Sequence, residues 1–226
     1  MMPVGGAAVR ISSTPLKWRN FGFGCTSESA VNSPGVINGM QVCSSLWLAF
    51  FVVWMIAALR TKRAIERVSL LRRVYYTIPV VLGFCCMFSF DFEILGLQHR
   101  FLPRTTAMAL SAIVITAAGL AFAFWARVHL GQNWSSAVSI KEQHQLIRSG
   151  PYRFVRHPIY AGMILAMLGT ALANGKVRGA LGVLLVWFGF LVKSRMEEQF
   201  MTRTFGPDYD DYRRTTGALF PRIRVR

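Results

Sequence analysis

Charged residues are scarce in this chain of 226 residues, and acidic residues are the scarcest of all. Only 16% of the residues are Asp, Glu, Lys or Arg, against roughly 25% in a typical soluble domain. Ten residues are acidic and 26 are basic, while 53% are hydrophobic. The mean hydropathy is +0.38. This composition is unlike that of an ordinary soluble domain, and it predicts a small membrane-embedded helix bundle.

Patterns that would mark a metal centre or a dinucleotide fold are also missing. The four cysteines show no CxxC or Cys/His spacing, and Cys85 and Cys86 lie inside an apolar run. We therefore expect no metal site and no disulfide framework. The sequence contains no GxGxxG, the fingerprint of a dinucleotide-binding turn.

The net charge of +16 has two readings. A basic protein can bind nucleic acid, but its Lys and Arg residues then form a patch or stripe on a folded element. Here they cluster between long apolar runs, as in the cytoplasmic loops of membrane proteins. We therefore expect the lipid bilayer as a partner and no nucleic acid.

The chain divides by composition into three parts. Residues 1–35 are rich in Gly, Ser and Pro and have no periodicity, which predicts a flexible tail without a signal peptide. Residues 36–126 hold three apolar runs, and residues 127–226 hold two more together with most of the unusual polar residues. The predicted fold is all-α, a polytopic bundle of about five transmembrane helices with a cytosolic C-terminal region.

Five runs approach the roughly 20 apolar residues that a helix needs to cross a bilayer. They are Val36–Leu59, Val74 to about Phe90, Thr105–Ala126, His157 to Ala173, and Val177–Val192. Only "NGKVR" separates the last two, so they should form a tight antiparallel hairpin. Basic residues are alternately many and few along successive connections. By the positive-inside tendency, the N-terminus is outside and the C-terminus is cytoplasmic.

Two polar blocks flank the predicted hairpin on its cytoplasmic side. The first, residues 127–162, contains "SGPYRFVRHPIYAG", and the second, residues 193–223, begins "KSRMEEQF". The hairpin should bring His157 and Glu197 to one membrane depth on neighbouring helices. Pro158 fits the first turn of a helix, where its missing N–H costs little. The fifth helix should continue past the membrane to Gly206-Pro207.

These blocks resemble the isoprenylcysteine carboxyl methyltransferase family, which is related to the phospholipid N-methyltransferases. The resemblance rests on RHPxYxG, a Glu pair and FGxxYxxY, and it covers about residues 127–223. It implies an integral membrane enzyme that uses S-adenosyl-L-methionine in a cytosolic pocket. The implied cofactor contacts are His144, Gln145, Leu146, Ile147, Tyr152, His157, Pro158, Ile159, Tyr160 and Glu197.

The resemblance also implies a basic residue that meets the acceptor's carboxylate. Lys193 stands at that position, where Arg would be expected, and Arg195 is the local alternative. Glu197, His157 and Arg195 are the expected catalytic residues. Methyl transfer from a sulfonium to a carboxylate needs alignment but no base, whereas an amine acceptor needs one. For an amine acceptor, the candidate bases are Glu197, Glu198 and His157.

The favoured function is carboxyl O-methylation of an isoprenylcysteine-like, lipophilic or prenylated substrate. There are three alternatives: N-methylation of a phospholipid or other lipid amine, a sterol-reductase-like enzyme that uses NADPH, and a non-catalytic membrane protein. The size of the bundle favours a bacterial inner membrane, with the endoplasmic reticulum left open.

Overall fold

The computed structural model describes residues 38–58, 64–67, 69–88, 96–131, 139–141 and 146–222. The expected tail, residues 1–35, lies outside this part of the chain. The division of the remainder at residues 126 and 127 stays a prediction.

Six α-helices make up most of the described chain, which confirms the predicted all-α membrane fold. They are α1 (Gly39–Ala58), α2 (Leu70–Phe88), α3 (Thr106–Leu130), α4 (Pro158–Asn174), α5 (Val177–Phe205) and α6 (Pro207–Thr215). By length and composition, α1, α2, α3 and α5 can cross a membrane, and α4 is a shorter apolar helix of 17 residues. Two short strands, β1 (Ala64–Arg67) and β2 (Ser139–Lys141), pair antiparallel.

Three helices extend well beyond the apolar runs that predicted them. Helix α2 begins at Leu70 rather than Val74, α3 ends at Leu130 rather than Ala126, and α5 continues to Phe205. The first two extensions carry basic residues, because a helix keeps its backbone hydrogen bonds beyond the hydrocarbon core while charged side chains reach water. The third confirms the predicted continuation of the fifth helix to Gly206-Pro207.

Small residues let the helices pack closely. Helix α3 packs antiparallel on α4, and a Cβ on Gly119 would collide with the Ala166 backbone nitrogen and lie 2.6 Å from the Gly162 carbonyl oxygen. On the other side of the bundle, a Cβ on Gly83 of α2 would lie 2.7 Å from the Gly182 carbonyl oxygen of α5. Such close backbone approach is how helices gain dispersion energy in lipid.

A buried set of polar side chains joins α1 to these helices. The Trp47 indole N–H donates to Thr170 Oγ1 at 3.0 Å, and Thr170 donates to the Ala166 carbonyl at 2.8 Å. Cys43 Sγ and Thr116 Oγ1 lie 3.4 Å apart. Interhelical hydrogen bonds in membranes contribute about 0.6 kcal/mol each on average, so this set mainly fixes register.

The turn between α4 and α5 is as tight as predicted. Gly175 ends α4 with φ +64°, a left-handed conformation that suits glycine. Arg100 crosses the turn and donates to the Asn174 carbonyl at 2.6 Å. The two helices therefore return their other ends to one face of the bundle. We call this face, where α4 begins and α5 leaves its apolar stretch, the site end.

Candidate active site

The polar site is built on the start of α4. A 3₁₀ turn over Gly150–Arg153 leads to His157, which caps α4 with non-helical backbone angles, and Pro158 occupies the first helical position. The backbone N–H groups of Arg156 and His157 are not satisfied by the helix. They donate to the carbonyls of Gly217 and Ala218 at 2.8 and 3.0 Å. The segment after α6 therefore holds this helix start in place.

His157 lies between the two carboxylates of α5. Its Nδ1 is 3.4 Å from Glu197 Oε2, and its Nε2 is 3.2 Å from Glu198 Oε1. The His157 side chain is 7% exposed. Only the imidazolium form carries a hydrogen on both ring nitrogens, so this geometry fits a positively charged His157. The predicted meeting of His157 with Glu197 across the hairpin is present in the structure.

The pKa values of this group follow from its contacts. Burial would lower the pKa of His157, but hydrogen bonds to Glu197 and Glu198 and the charges of both carboxylates outweigh burial and raise it above its usual value. Glu198 lies beyond the apolar stretch of α5. Burial would raise its pKa, but hydrogen bonds from His157 and Arg156 and their charges lower it to about 2. Both shifts favour the charged forms, the imidazolium of His157 and the carboxylate of Glu198.

The two glutamates have different partners. Glu197 Oε1 accepts from the Tyr160 hydroxyl at 2.5 Å. Glu198 Oε1 instead accepts from Arg156 Nε and Nη2, at 3.0 and 2.6 Å. Arg156 also donates to the Thr216 carbonyl in the C-terminal segment. Glu198 is thus held in a structural network, whereas Glu197 faces the interior of the site.

Aromatic rings form the inner wall of the site. His157 stacks on Tyr160 at 5.6 Å between centroids, and Tyr160 stacks on Phe190 at 4.8 Å. The ammonium of Lys193 lies 5.2 Å from the Tyr160 ring centroid and 5.4 Å from that of Tyr76. These two rings stabilise the Lys193 ammonium at the membrane boundary through cation–π contacts. We call His157, Tyr160, Lys193 and Glu197 the polar cluster.

An apolar groove of about 890 Å³ leads away from the polar cluster between α1, α2, α4 and α5. Tyr160 and Lys193 line it at the site end, and Phe84 and Phe88 line it farther along α2. The other lining residues are Phe50, Phe51, Trp54, Met55, Ala58, Val80, Val81, Cys85, Ile159, Met163 and Phe190. The groove is large enough for a lipophilic small molecule.

The remaining expected site residues fall into three groups. Tyr152, Pro158 and Ile159 are buried beside the cluster, and Leu146 and Ile147 are partly buried just before the 3₁₀ turn. His144 and Gln145 lie outside the described residues.

Arg195 is the exception among the expected catalytic and substrate-binding residues. It is exposed and lies on α5 two residues from Lys193, which places it on the other side of the helix. The structure does not bring it to the polar cluster, so a role for Arg195 stays a prediction that the geometry does not support.

Several contributing residues were not assigned roles from the sequence. Tyr76 and Phe190 complete the ring wall but look like ordinary transmembrane residues. Tyr212, the last residue of FGxxYxxY, donates from its hydroxyl to the Tyr152 carbonyl at 2.5 Å. Arg127 is 5% exposed at the end of α3 and donates to the Ala57 carbonyl at 2.9 Å. Of these four residues, only Tyr212 belongs to a sequence motif, FGxxYxxY, from which a role could have been suspected.

Comparison with known proteins agrees with this geometry. Residues 107–208 match the model of the phospholipid methyltransferase family. Over 101 residues the chain is 35% identical to a protein-S-isoprenylcysteine O-methyltransferase of Schizosaccharomyces pombe, covering 43% of each chain. It is 23% identical to the Mus musculus protein of the same name, covering 98% of this chain and 72% of the relative.

The fold also has a counterpart among solved structures. A eukaryotic intramembrane isoprenylcysteine carboxyl methyltransferase superposes with a TM-score of 0.55 at 19% identity, covering 83% of this chain and 69% of that one. The chain spans less than half the length of the first curated relatives it matches. Together with the RHPxYxG and Glu-pair geometry, these matches support the predicted resemblance to the isoprenylcysteine carboxyl methyltransferase family.

Proposed function

We propose that this protein is an integral membrane methyltransferase that uses S-adenosylmethionine to methylate the carboxylate of a lipophilic, isoprenylcysteine-like acceptor. One observation carries the proposal: Tyr160 and Lys193 belong both to the polar cluster and to the apolar groove. A water-soluble cofactor and a membrane-dissolved acceptor can meet where the two spaces join. The names of the aligned relatives support the same reaction.

The residues present fit the cofactor. Glu197 Oε1 accepts from the Tyr160 hydroxyl and Oε2 lies 3.4 Å from His157 Nδ1, and an ionised carboxylate has about four lone-pair sites with which it can also accept from a hydroxyl or ammonium donor. The rings of His157 and Tyr160 offer flat surface of the kind that suits an adenosyl group. The cofactor would be held by the side chains of Glu197, His157, Tyr160 and Tyr152 and by the backbone of Leu146 and Ile147.

In this reaction the protein has to align the acceptor with the methyl donor, and it does not have to supply an acid or a base. When bound, the cofactor would supply a methyl group on a positively charged sulfur. A carboxylate oxygen would form the new C–O bond as the C–S bond breaks and the sulfur leaves as a neutral thioether, with no proton to move. Lys193 orients the carboxylate by charge, and the aromatic walls exclude water. Alignment of this kind can lower a barrier by about 7–11 kcal/mol.

N-methylation of a lipid amine is the second candidate, because the family model that matches residues 107–208 describes phospholipid methyltransferases. Two features of the site disfavour it. The Lys193 ammonium would repel a protonated amine. His157, paired with Glu197 and Glu198, already holds its proton and is a poor base.

We further propose that the site end faces the cytoplasm, because the sequence places its basic residues on the connections at that end. A bacterial inner membrane remains our proposed location. S-adenosylmethionine would then reach the polar cluster from the cytoplasm, and the acceptor would reach the groove from the inner leaflet.

The test uses purified full-length protein with a radiolabelled methyl donor and a lipophilic S-alkylcysteine acceptor. We expect label that mild base releases as methanol, since a methyl ester hydrolyses and a methylamine does not. Base-stable label would favour the lipid amine candidate. Titration with S-adenosylmethionine, its demethylated product and NADPH completes the test, and binding of NADPH alone would favour a reductase.

A further inference from the structure

Arg127 is a buried cation that lies outside the polar cluster. It is 5% exposed in the last turn of α3. Its Nη2 donates to the Ala57 carbonyl of α1 at 2.9 Å, and its Nη1 donates to the carbonyl of Gly131, the residue after α3, at 2.9 Å. One guanidinium therefore ties the ends of two helices together, although Ala57 and Arg127 are 70 positions apart.

The end of α1 needs a donor of this kind. The last four carbonyls of a helix have no N–H partner within the helix, and Ala57 is the second-last residue of α1. Within Gly39–Ala58, the last turn contains no basic residue. A cation at this place satisfies a carbonyl and offsets the negative end of the helix dipole. Arg127 supplies that charge from α3, so it holds the last turn of α1 against α3.

The same guanidinium contacts the wall of the apolar groove from outside. Its Cζ lies 5.8 Å from the centroid of the Trp54 ring, which is a cation–π contact. Trp54 and Ala58 lie one turn apart on α1, and both line the groove. The Trp54 ring packs in turn on Phe50, another lining residue, at 5.0 Å between centroids. A movement of the end of α1 would therefore change the shape of the groove.

We propose that Arg127 is a positioning residue for the acceptor, because it holds the last turn of α1 in place and thereby fixes Trp54 in the wall of the groove. This inference rests on the proposed function. An arginine is required, since its planar fork can reach two carbonyls and lie against a ring at once, which a lysine ammonium cannot do. Both hydrogen bonds go to backbone carbonyls outside the polar cluster, so the effect falls on the acceptor rather than on the cofactor.

Arg127→Lys is the variant that isolates this role. The charge of Arg127 also acts on the hydroxyl of Tyr152, which is expected to contact the cofactor, and lysine keeps that charge while it loses the fork. With N-acetyl-S-farnesylcysteine as the acceptor, we expect KM to rise about threefold to tenfold, an effect of the size that coupled residues show. The kcat and the affinity for S-adenosylmethionine should change by less than about twofold, since only binding of the acceptor is weakened.

Arg100→Lys is the matched control. Arg100 donates to the carbonyls of Asn174 and Leu102 at the opposite end of the bundle, and like Arg127 it ties a helix end to a neighbouring segment. The control should lower the thermal midpoint as Arg127→Lys does, but it should leave the KM for the acceptor unchanged. A rise in KM for Arg100→Lys as large as that for Arg127→Lys would show a general loss of stability and would overturn the inference.

A double-mutant cycle tests whether Arg127 acts through Trp54. In a Trp54→Ala background, Arg127→Lys should raise the KM for the acceptor by less than about twofold, because the side chain through which it acts is already gone. A role in stability alone would raise KM by the same factor in both backgrounds. That result, or a KM for Arg127→Lys equal to that of the wild type, would overturn the inference.

Binding without the methyl donor separates this inference from the proposed function. The same acceptor is titrated into detergent-purified wild type and Arg127→Lys. If Arg127→Lys binds it more weakly but neither protein methylates it, the inference stands and the proposed function fails. If both proteins methylate it and bind it equally well, the function stands and the inference fails. A wild-type protein that does not bind the acceptor would overturn both.

Discussion

Nδ1 of His157 lies 3.4 Å from Oε2 of Glu197 although the two residues are forty positions apart in the chain. The contact joins the start of α4 to the part of α5 beyond its apolar stretch. It depends on the two-residue turn at Gly175 and Lys176, which sends α5 back antiparallel to α4. The polar cluster follows from this one pairing.

Glu197 should matter directly for cofactor binding. Glu197→Gln removes the charge that would receive the cofactor's hydroxyl or ammonium groups, so we expect affinity for S-adenosylmethionine to fall about tenfold to hundredfold, the worth of a charge-assisted hydrogen bond. Calorimetric titration in detergent measures this. Asp208→Asn removes an exposed carboxylate and serves as the control. An unchanged affinity in Glu197→Gln would contradict the assignment.

The two glutamates should differ when each is neutralised. Glu198→Gln breaks the ion pair with Arg156 and loosens the C-terminal segment. We expect it to lower the thermal midpoint more than Glu197→Gln does, because breaking a buried pair leaves Arg156 uncompensated. Thermal unfolding of both variants, without cofactor, measures this. Equal midpoints would mean that the division of roles between the glutamates is wrong.

The stability should depend on pH through His157. Its pKa is raised in the folded protein from the usual 6.5. Its contribution is therefore complete below pH 6.5 and is lost as the pH rises through the folded value. We expect the wild-type thermal midpoint to fall with rising pH more steeply than that of His157→Gln. His99→Gln, an exposed histidine outside the cluster, should follow the wild type.

Glu198 predicts the opposite behaviour in acid. Its folded pKa is about 2, below the usual 4.5. Its contribution is therefore complete above pH 4.5 and is lost as the pH falls towards 2. We expect the stability difference between wild type and Glu198→Gln to shrink over that interval. A difference that stays constant in acid would contradict the ion pair with Arg156.

Lys193 and Arg195 can be separated by their kinetics. Lys193→Met should raise KM for a carboxylate acceptor about tenfold, while binding of S-adenosylmethionine changes little, because the lost charge meets the acceptor. Arg195 points away from the polar cluster, so Arg195→Met should have the smaller effect. A larger effect for Arg195→Met would restore the alternative that the sequence suggested. Steady-state rates at saturating cofactor measure both.

Close packing of α3 on α4 should tolerate no side chain at Gly119. Gly119→Val places carbon atoms against the Ala166 and Gly162 backbones, and overpacking of this kind costs about 1–3 kcal/mol or more. We expect a lower thermal midpoint in detergent. Ala121→Val adds similar bulk at an exposed position on the same helix and should leave the midpoint near that of the wild type.

Much of the fold could be predicted from composition alone. The five apolar runs matched α1 to α5, although α4 is shorter than the other four, because length and hydropathy decide which segments can lie in lipid. Hydropathy did not predict where α2 begins and α3 ends, since a helix extends into the interface until a cap or turn stops it. The RHPxYxG block, the Glu pair and the short hairpin together predicted the contact between His157 and Glu197.

Other parts of the site could not be read from the sequence. Nothing in a run such as "VYYTIPVVLGFCCMF" distinguishes Tyr76, which faces Lys193, from Tyr75, which is exposed. Lys193 and Arg195 were equally plausible by type, and only the rotation of α5 separates them. The same holds for Glu197 and Glu198, since adjacent positions on a helix point about 100° apart.

The sequence by itself determined that this chain is a helical membrane protein with a stiff, polar helix start beside a Glu pair, because hydropathy, proline and a two-residue turn act locally. Tertiary structure decided which carboxylate is tied to Arg156 and which cation meets the groove. Those outcomes depend on the rotation and close approach of helices that are distant in sequence, and small residues such as Gly119 fix both.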